Sequence, residues 1–462
     1  MTLIKSISGI RGTIGNDPGE NLTPLDLVKF SSAYAMWIKN RERKDSYKVI
    51  IGRDARISGD MVNKIVCGTL MGMGIDVTDL GPASTPTVEM AVQFEKADGG
   101  IILTASHNPA EWNALKLLNN NGEFLSAADG EELLNMSTKE NFKYAEISAL
   151  GNYKTDRSLD EKHIRSVTEL PLADIAAIRA RKFRVVIDCV NSVGGIILPE
   201  LLKAIGVDDV IEINCKPDGI FSHNPEPLPE NLKGLSETVV KNNADLGFAV
   251  DPDVDRLAII NEDGTMFGEE YTLVAVADYV LMNTPGNTVS NLSSTKALKE
   301  ITEKYGGSHT ASAVGEVNVV SEMKRTNAVI GGEGNGGVIY PGLHYGRDAL
   351  VGIVLFLSHL ARQKVKCTEL RKRYPDYYLS KNKIELTPGI HTGAILKGIK
   401  DHYSNYPVNE TDGVRIDFPE GWVHLRESNT EPIIRIYSEG ADRQKAEDLA
   451  GVIIKVIKAN LP

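Results

Sequence analysis

Three times along this chain the same succession recurs: a short apolar run, a helical stretch, a second run, a second helical stretch and a third run. The first copy opens on "YKVIIGRDA" (Tyr47 to Ala55), passes through "SGDMVNKIVCGTLMGMG" and "IDVTDLG", and ends with "GGIILTA" running into Ser106. The second opens on "FRVVIDCVN" (Phe183 to Asn191) and ends with "LGFAV" and "DPDVDR" (Asp251 to Arg256). The third opens on "NTVSNLSST" and ends with "NAVIG" and "GEGNGG" (Gly332 to Gly337). Short runs alternating with helical stretches predict βαβ units and mostly parallel sheets. A repeated topology sets equivalent loops at equivalent strand ends. Open α/β sheets bind ligands at those ends, so one crevice can collect all three loops.

After about Tyr374 the pattern changes. "PGIHTGAILKGIKDHYSNY" reads as a helix, "GVRIDF" and "WVHLRESNTEPIIRIYSEG" as antiparallel strands, and "DRQKAEDLAGVIIKVIKAN" as a closing helix. The charged, proline-containing connection "RKRYPDYYLSKNKIELTPG" reads as a linker. At 462 residues the chain is too long for one core. The expected fold is α/β: three topologically similar mixed α/β domains plus a smaller C-terminal α+β domain, around a central cleft. The boundaries fall at 1–152, 153–257, 258–372 and 373–462.

A formal net charge of −11 gives no footprint for nucleic acid or an anionic membrane. Cys67, Cys189, Cys215 and Cys367 are scattered without a Cys-x-x-Cys pair, which suits a reducing compartment and argues against a thiolate zinc site. The N-terminus is too polar for a signal peptide. The longest apolar stretch, Ala349 to Ala361, is shorter than the roughly 20 residues of a membrane span and reads as a buried helix. A cytoplasmic protein is expected.

Each loop admits more than one use. Ser106, His107, Asn108 and Pro109 are turn formers as well as strand-end candidates for chemistry. Asp251, Asp253 and Asp255 alternate, which in extended backbone points three hard oxygen ligands to one side, as Mg²⁺ requires. A calcium loop is the rival because Glu262 falls at the twelfth position. Arg256 replaces its sixth-position glycine, however, and strands flank the segment. "GEGNGG" matches the dinucleotide fingerprint and supports a rival reading as a nucleotide-binding oxidoreductase. That fingerprint requires a helix directly after its last glycine, whereas "VIYPG" follows here. Glycines that let a backbone approach a sugar, with Glu333 accepting from hydroxyls, is the other use. "RESNTEP" offers Arg426, Ser428, Asn429 and Thr430, with Arg435 on the next strand, as donors for a phosphate or as an ordinary hairpin. Arg11, between glycines, reaches an anion or lies at the surface; Lys116 is a base near Ser106 or a solvated lysine.

Together "TASHNP", "DPDVDR", "GEGNGG" and "RESNTEP", in this order and spacing along the whole chain, resemble the α-D-phosphohexomutases. The resemblance implies a phosphoryl-carrying Ser106 beside His107, with Asp251, Asp253 and Asp255 binding Mg²⁺ together with it. It implies Arg11, Arg256 and Lys116 near the transferred group, with Lys116 as general acid or base. Glu333 and Asn335 would read sugar hydroxyls, and Arg426, Ser428, Asn429, Thr430 and Arg435 would hold the non-reacting phosphate. The implied reaction moves a phosphoryl group between O6 and O1 of a hexose phosphate through a hexose 1,6-bisphosphate, which also serves as activator. "SAVGEVNV" (Ser312 to Val319) resembles the phosphoglucosamine mutases, so glucosamine phosphates lead, with glucose or mannose phosphates as the alternative. A hexose phosphate is the expected partner, a homodimer is compatible, and nucleic acid and membrane are not expected. A non-catalytic, metal-bound sugar-phosphate binder is the remaining rival.

Overall fold

The computed structural model describes residues 2–6, 9–385, 392–427 and 433–460. Its four sheets follow one another along the chain. In the first, the parallel strands Lys48–Arg53, Asp76–Pro82 and Gly99–Leu103 carry the apolar runs of the first repeat. Their interiors are buried, as expected for parallel strands covered by helices on both faces. Arg184–Asp188, Asp209–Ile213 and Leu246–Val250 repeat the arrangement, and Asn287–Asn291, His309–Ser312 and Ala328–Glu333 repeat it again.

Each polar loop does more than end a strand. It reverses the chain into a fourth strand, which pairs antiparallel with the third: Trp112–Leu118, Leu257–Asn261 and Gly337–Ile339. All three units therefore share one spatial order: return strand, third run, first run, second run. The return strands were missing from the sequence pattern because they start inside the polar loops. They pin each loop between two hydrogen-bonded strands, which makes the loops rigid enough to carry a site.

The second and third units share one hydrophobic core, running from Val185 and Val250 to Leu273 and Ile353. The Ala349–Gln363 helix lies in it, buried along nearly its whole length, which accounts for the uninterrupted apolar run. The first unit has its own core under Phe30, Val49 and Ile101. Among the described residues no helix is long and apolar enough to cross a membrane.

The C-terminal unit is a five-stranded antiparallel sheet with the helices Thr392–His402 and Arg443–Asn460. One of its strands, Tyr378–Glu385, lies within the segment read as a linker and pairs along its length with Ile433–Gly440. The linker reading is corrected accordingly. The strand lies at the sheet edge, where Lys381 and Lys383 are the charged residues such edges tolerate. Their polarity hid the strand.

Candidate active site

Where the Gly99–Leu103 strand ends, Thr104 Oγ1 donates to Asp54 Oδ2 (2.6 Å) and accepts from the Ser106 amide (2.9 Å). Ser106 adopts φ +50°, a left-handed conformation that costs a non-glycine residue about 1–2 kcal/mol. The strain is held by a side chain absent from the sequence argument. The guanidinium of Arg56, 1% exposed, donates to the carbonyls of Ser106 (2.5 Å), Asn108 (2.6 Å), Pro109 (2.5 Å) and Trp112 (3.1 Å), and Nε pairs with Asp54 Oδ2 (2.9 Å). Ser106 is thereby presented outward, with Oγ donating to Asp251 Oδ2 (2.7 Å). His107 Nδ1 lies 3.4 Å from the same Oγ. Arg56→Met strips Asp54 of its cation and leaves the four carbonyls short of a donor. It is expected to destabilise the protein by about 3–5 kcal/mol. The measurement is the urea midpoint followed by tryptophan fluorescence, and an unchanged midpoint refutes the assignment.

The second loop corrects one expectation. Asp251, Asp253 and Asp255 are not on extended backbone: the Val254 amide donates to Asp251 O (3.1 Å) in a tight turn, with Val254 at φ +64°. The Asp255 and Arg256 amides both donate to Asp251 Oδ1 (3.2 Å each). The carboxylates still converge, with ligand oxygens within 4.8 Å of one another and all three side chains fully buried. Burial, then the charges of Asp255 and Asp253, push the Asp251 carboxyl well above its ordinary range. Burial opposes the charge on Asp253 too, but Lys116 outweighs it and holds that group low. Asp253 Oδ1 and Asp255 Oδ1 are buried with no hydrogen-bond partner among the described residues. Three converging carboxylates, two with unused oxygens, fit a hard divalent cation such as Mg²⁺.

Lys116 is not solvated. It sits on the return strand opposite Ile102, 9% exposed, with Nζ 2.7 Å from Asp253 Oδ2 and 3.6 Å from Asp255 Oδ2. Burial alone would lower it, but those two carboxylates override burial and the net direction is up. His107 goes the other way: burial, then the charge of Arg256, hold it well below its ordinary value. Arg256 Nε lies 4.0 Å from Asp251 Oδ2 and 3.9 Å from Asp255 Oδ1. Arg11, on Gly9–Thr13, is lowered by burial and then by the charges of Arg435, from the C-terminal sheet, and Arg256. There Arg426 and Arg435 stand directly opposite on neighbouring strands. Like charges set opposite one another repel, and an anion between them offsets the repulsion. Ser428, Asn429 and Thr430 lie outside the described residues.

In the third loop Glu333 Oε1 accepts from Asn291 Nδ2 (2.9 Å) and the Gly315 amide (3.1 Å), while Oε2 lies 3.2 Å from Arg347 Nη1. Burial would raise its carboxyl, but Arg347 and Asn291 outweigh that and keep it low. The glycines do not open a helix, which removes the dinucleotide reading; they form the reversal into Gly337–Ile339. Nor do they chiefly let the backbone approach a ligand. A Cβ at Gly334 would fall 2.0 Å from a Glu270 carboxylate oxygen, and one at Gly336 2.4 Å from the Leu257 carbonyl. The glycines make room for the protein's own atoms. Asn335 Oδ1 accepts from the Gly337 amide (3.2 Å), which leaves its amide nitrogen for a ligand.

Arg347 is the second residue the sequence argument missed. It reaches Asp255 Oδ2 (2.6 Å), Glu316 Oε2 (2.8 Å) and Glu333, so it joins the second loop to the third. A Cβ at Gly337 would lie 2.4 Å from Arg347 Cδ, which explains that glycine. The only signal in the sequence is an arginine–aspartate pair just before a buried helix.

Four family descriptions match the chain in succession. They are phosphoglucomutase/phosphomannomutase α/β/α domain I over residues 3–144, domain II over 161–264, domain III over 268–378, and the C-terminal domain over 365–456. A phosphoglucomutase/phosphomannomutase of Thermococcus kodakarensis is 35% identical over 456 residues, 98% of each chain. A phosphoglucosamine/phosphogalactosamine mutase of Sulfurisphaera tokodaii is 33% identical over 457 residues, 97% of this chain and 98% of its own. The crystal structure of a phosphoglucomutase/phosphomannomutase family protein from Burkholderia thailandensis matches with a TM-score of 0.85 at 24% identity, over 99% of this chain and 98% of that one.

Proposed function

The chain belongs to the phosphoglucomutase/phosphomannomutase family and is a phosphohexomutase, and we propose that it interconverts glucosamine 6-phosphate and glucosamine 1-phosphate through a phosphoserine at Ser106. One observation carries the site assignment: Ser106 Oγ meets Asp251 where Lys116 meets Asp253 and Asp255, and the charges of Arg435 and Arg256 act on Arg11.

In the proposed half-reaction a sugar hydroxyl attacks the phosphorus, and the P–Oγ bond of Ser106 breaks as the new P–O bond forms. Lys116, kept protonated by its two carboxylates, gives a proton to the departing Ser106 oxygen and regains one from the attacking hydroxyl. Asp251, Asp253, Asp255 and the Ser106 oxygen would hold Mg²⁺, which when bound draws charge off the transferring group and offsets the carboxylate field. Arg11 and Arg256 face the same charge, and His107 stays a neutral hydrogen-bonding neighbour. Arg426 and Arg435, with Ser428, Asn429 and Thr430, grip the other phosphate. The bisphosphate must turn round between half-reactions, so a grip carried by a separate C-terminal unit suits it. Glu333 and the free amide of Asn335 read the sugar. Glucosamine comes first because "SAVGEVNV" (Ser312 to Val319) resembles the phosphoglucosamine mutases and the Sulfurisphaera tokodaii relative carries a phosphoglucosamine/phosphogalactosamine mutase name. The four free cysteines, three of them buried, accord with a cytoplasmic location.

A coupled assay run side by side on glucosamine, glucose and mannose phosphates tests the substrate. The highest kcat/KM is expected for glucosamine 6-phosphate; a higher value for glucose or mannose phosphate replaces the assignment and leaves the mutase chemistry intact.

A further inference from the structure

Next to the phosphoryl-transfer residues, three parts of the chain meet at a buried polar junction that the reaction itself does not use. Asp348 caps the Ala349–Gln363 helix, with Oδ1 accepting from the Leu350 (2.8 Å) and Val351 (3.4 Å) amides. Its Oδ2 accepts from two imidazoles, His163 Nε2 at 2.9 Å and His344 Nε2 at 3.3 Å. The far nitrogens are also faced by oxygen: His163 Nδ1 lies 3.0 Å from Thr87 Oγ1, and His344 Nδ1 3.4 Å from Glu89 Oε2. Thr87, Glu89, His163, His344 and Asp348 are all buried. Thr87 and Glu89 come from the Thr85–Phe94 helix, His163 from Leu159–Thr168, and His344 and Asp348 from the approach to Ala349–Gln363.

The junction adjoins the site through backbone and side chain. Thr85, first residue of its helix, donates to Asp253 Oδ2 (2.7 Å). The Ala349 amide donates to Val254 O (3.2 Å), and Arg347, next to Asp348, makes the three ion pairs that link Asp255, Glu316 and Glu333. An arginine that bridges two loops is only as well placed as the helix end it stands on. We propose that His163 and His344 are positioning residues, gripping Asp348 from two sides so that Arg347 is held across the metal-side and sugar-side loops.

Asp348 and His163 find partners without an ion, while His344 Nδ1 and both Glu89 oxygens make no hydrogen bond among the described residues. Both Nε2 atoms face Asp348 Oδ2, and Thr87 Oγ1, which also bonds to Ser84 Oγ (2.7 Å) and to Asp160, faces His163 Nδ1. Burial opposes the charge on Asp348, but His163 and His344 outweigh it and hold the carboxyl low. Burial, then Glu316 and Asp255, push Glu89 well above the carboxylate range, so it faces His344 as a neutral acid. Two imidazoles and a carboxylate are also a zinc donor set. The complete hydrogen bonding of Asp348 and His163 favours the ion-free form.

The inference rests on the phosphohexomutase activity and not on which sugar is used. It is tested on the full chain with a cycle of His163→Phe, Arg347→Met and the double variant, with His163→Gln as the donor-preserving control. His163→Phe is expected to lower kcat about tenfold while KM moves less than about twofold. His163→Gln, which keeps a donor for Asp348, is expected to restore most of that loss. In the Arg347→Met background the phenylalanine should cost less than about twofold, because the group it positions is gone. If His163→Phe does not fold, Thr87→Val carries the same cycle with a loss of about threefold. Losses that multiply independently of Arg347, an active and unaffected His163→Phe, or purified enzyme holding one equivalent of zinc each overturn the proposal.

Discussion

Ser106→Ala is expected to abolish turnover, with kcat falling by at least about 10⁴-fold, and to remove the phosphoryl group from the intact-mass spectrum. Both losses have one origin. Lys116, the arginines and the carboxylates remain in place in the variant, but no oxygen is left at residue 106 to take the phosphoryl group. Stability should change little. The Ser106 side chain makes one strong hydrogen bond, to Asp251, and the left-handed φ is held by Arg56 through the backbone whichever side chain is present. A melting temperature close to the parent's therefore separates lost chemistry from lost fold. The wild-type enzyme, incubated with hexose 1,6-bisphosphate, should show a fraction carrying one phosphoryl group. A variant that keeps more than about 1% of parental activity, or a wild type never phosphorylated at Ser106, would sink the phosphoserine mechanism. The same experiment separates a mutase from a sugar-phosphate binder, since a binder has no reason to carry the group.

The three loops were legible because polar and glycine-rich residues at the end of a buried strand serve no packing purpose, and their repetition put them at one topological position. Ser106 Oγ meets Asp251, and Lys116 meets Asp253 and Asp255. Arg56, Arg347, His163 and His344 were not legible, because a buried cation or imidazole has the same letter as an exposed one. Its partners can also be far away in the chain: Arg347 and Asp255 are 92 positions apart. Only the fold says that Arg56 faces four carbonyls. The return strands and the edge strand Tyr378–Glu385 escaped for a related reason. The return strands are short and buried but begin inside polar loops, whereas the half-exposed, charged edge strand has the composition of a loop. Alternation did mark the three aspartates as a group, and their carboxylates converge, but the extended backbone inferred from it was wrong. Asp251 Oδ1 instead folds the loop over itself by accepting two backbone amides, and the carboxylates converge through a turn.

That turn makes a second outcome sharp. Asp251→Asn is expected to reduce activity by at least about 10³-fold and at the same time to raise the melting temperature of the metal-free enzyme. The asparagine oxygen can still accept from the Asp255 and Arg256 amides, so the turn survives. What disappears is one of three fully buried carboxylates, whose charge is opposed by burial and then by Asp255 and Asp253. Relief of that repulsion stabilises the empty site, by about 2–4 °C for each kcal/mol in domains of this size. In the wild type, bound Mg²⁺ would supply the relief instead, so adding it should raise the melting temperature by mass action. The variant has lost a ligand and should respond little. The functional loss follows from the same change: the carboxylate that meets Ser106 no longer helps to hold a cation against the transferring phosphoryl. Melting curves with and without Mg²⁺ decide the matter. A metal-free variant less stable than the parent, or a Mg²⁺-induced rise as large as the parent's, would mean that Asp251 is a structural cap and that the cation is held elsewhere. The stability gain and the activity loss must appear together, because both come from removing one negative charge beside Ser106.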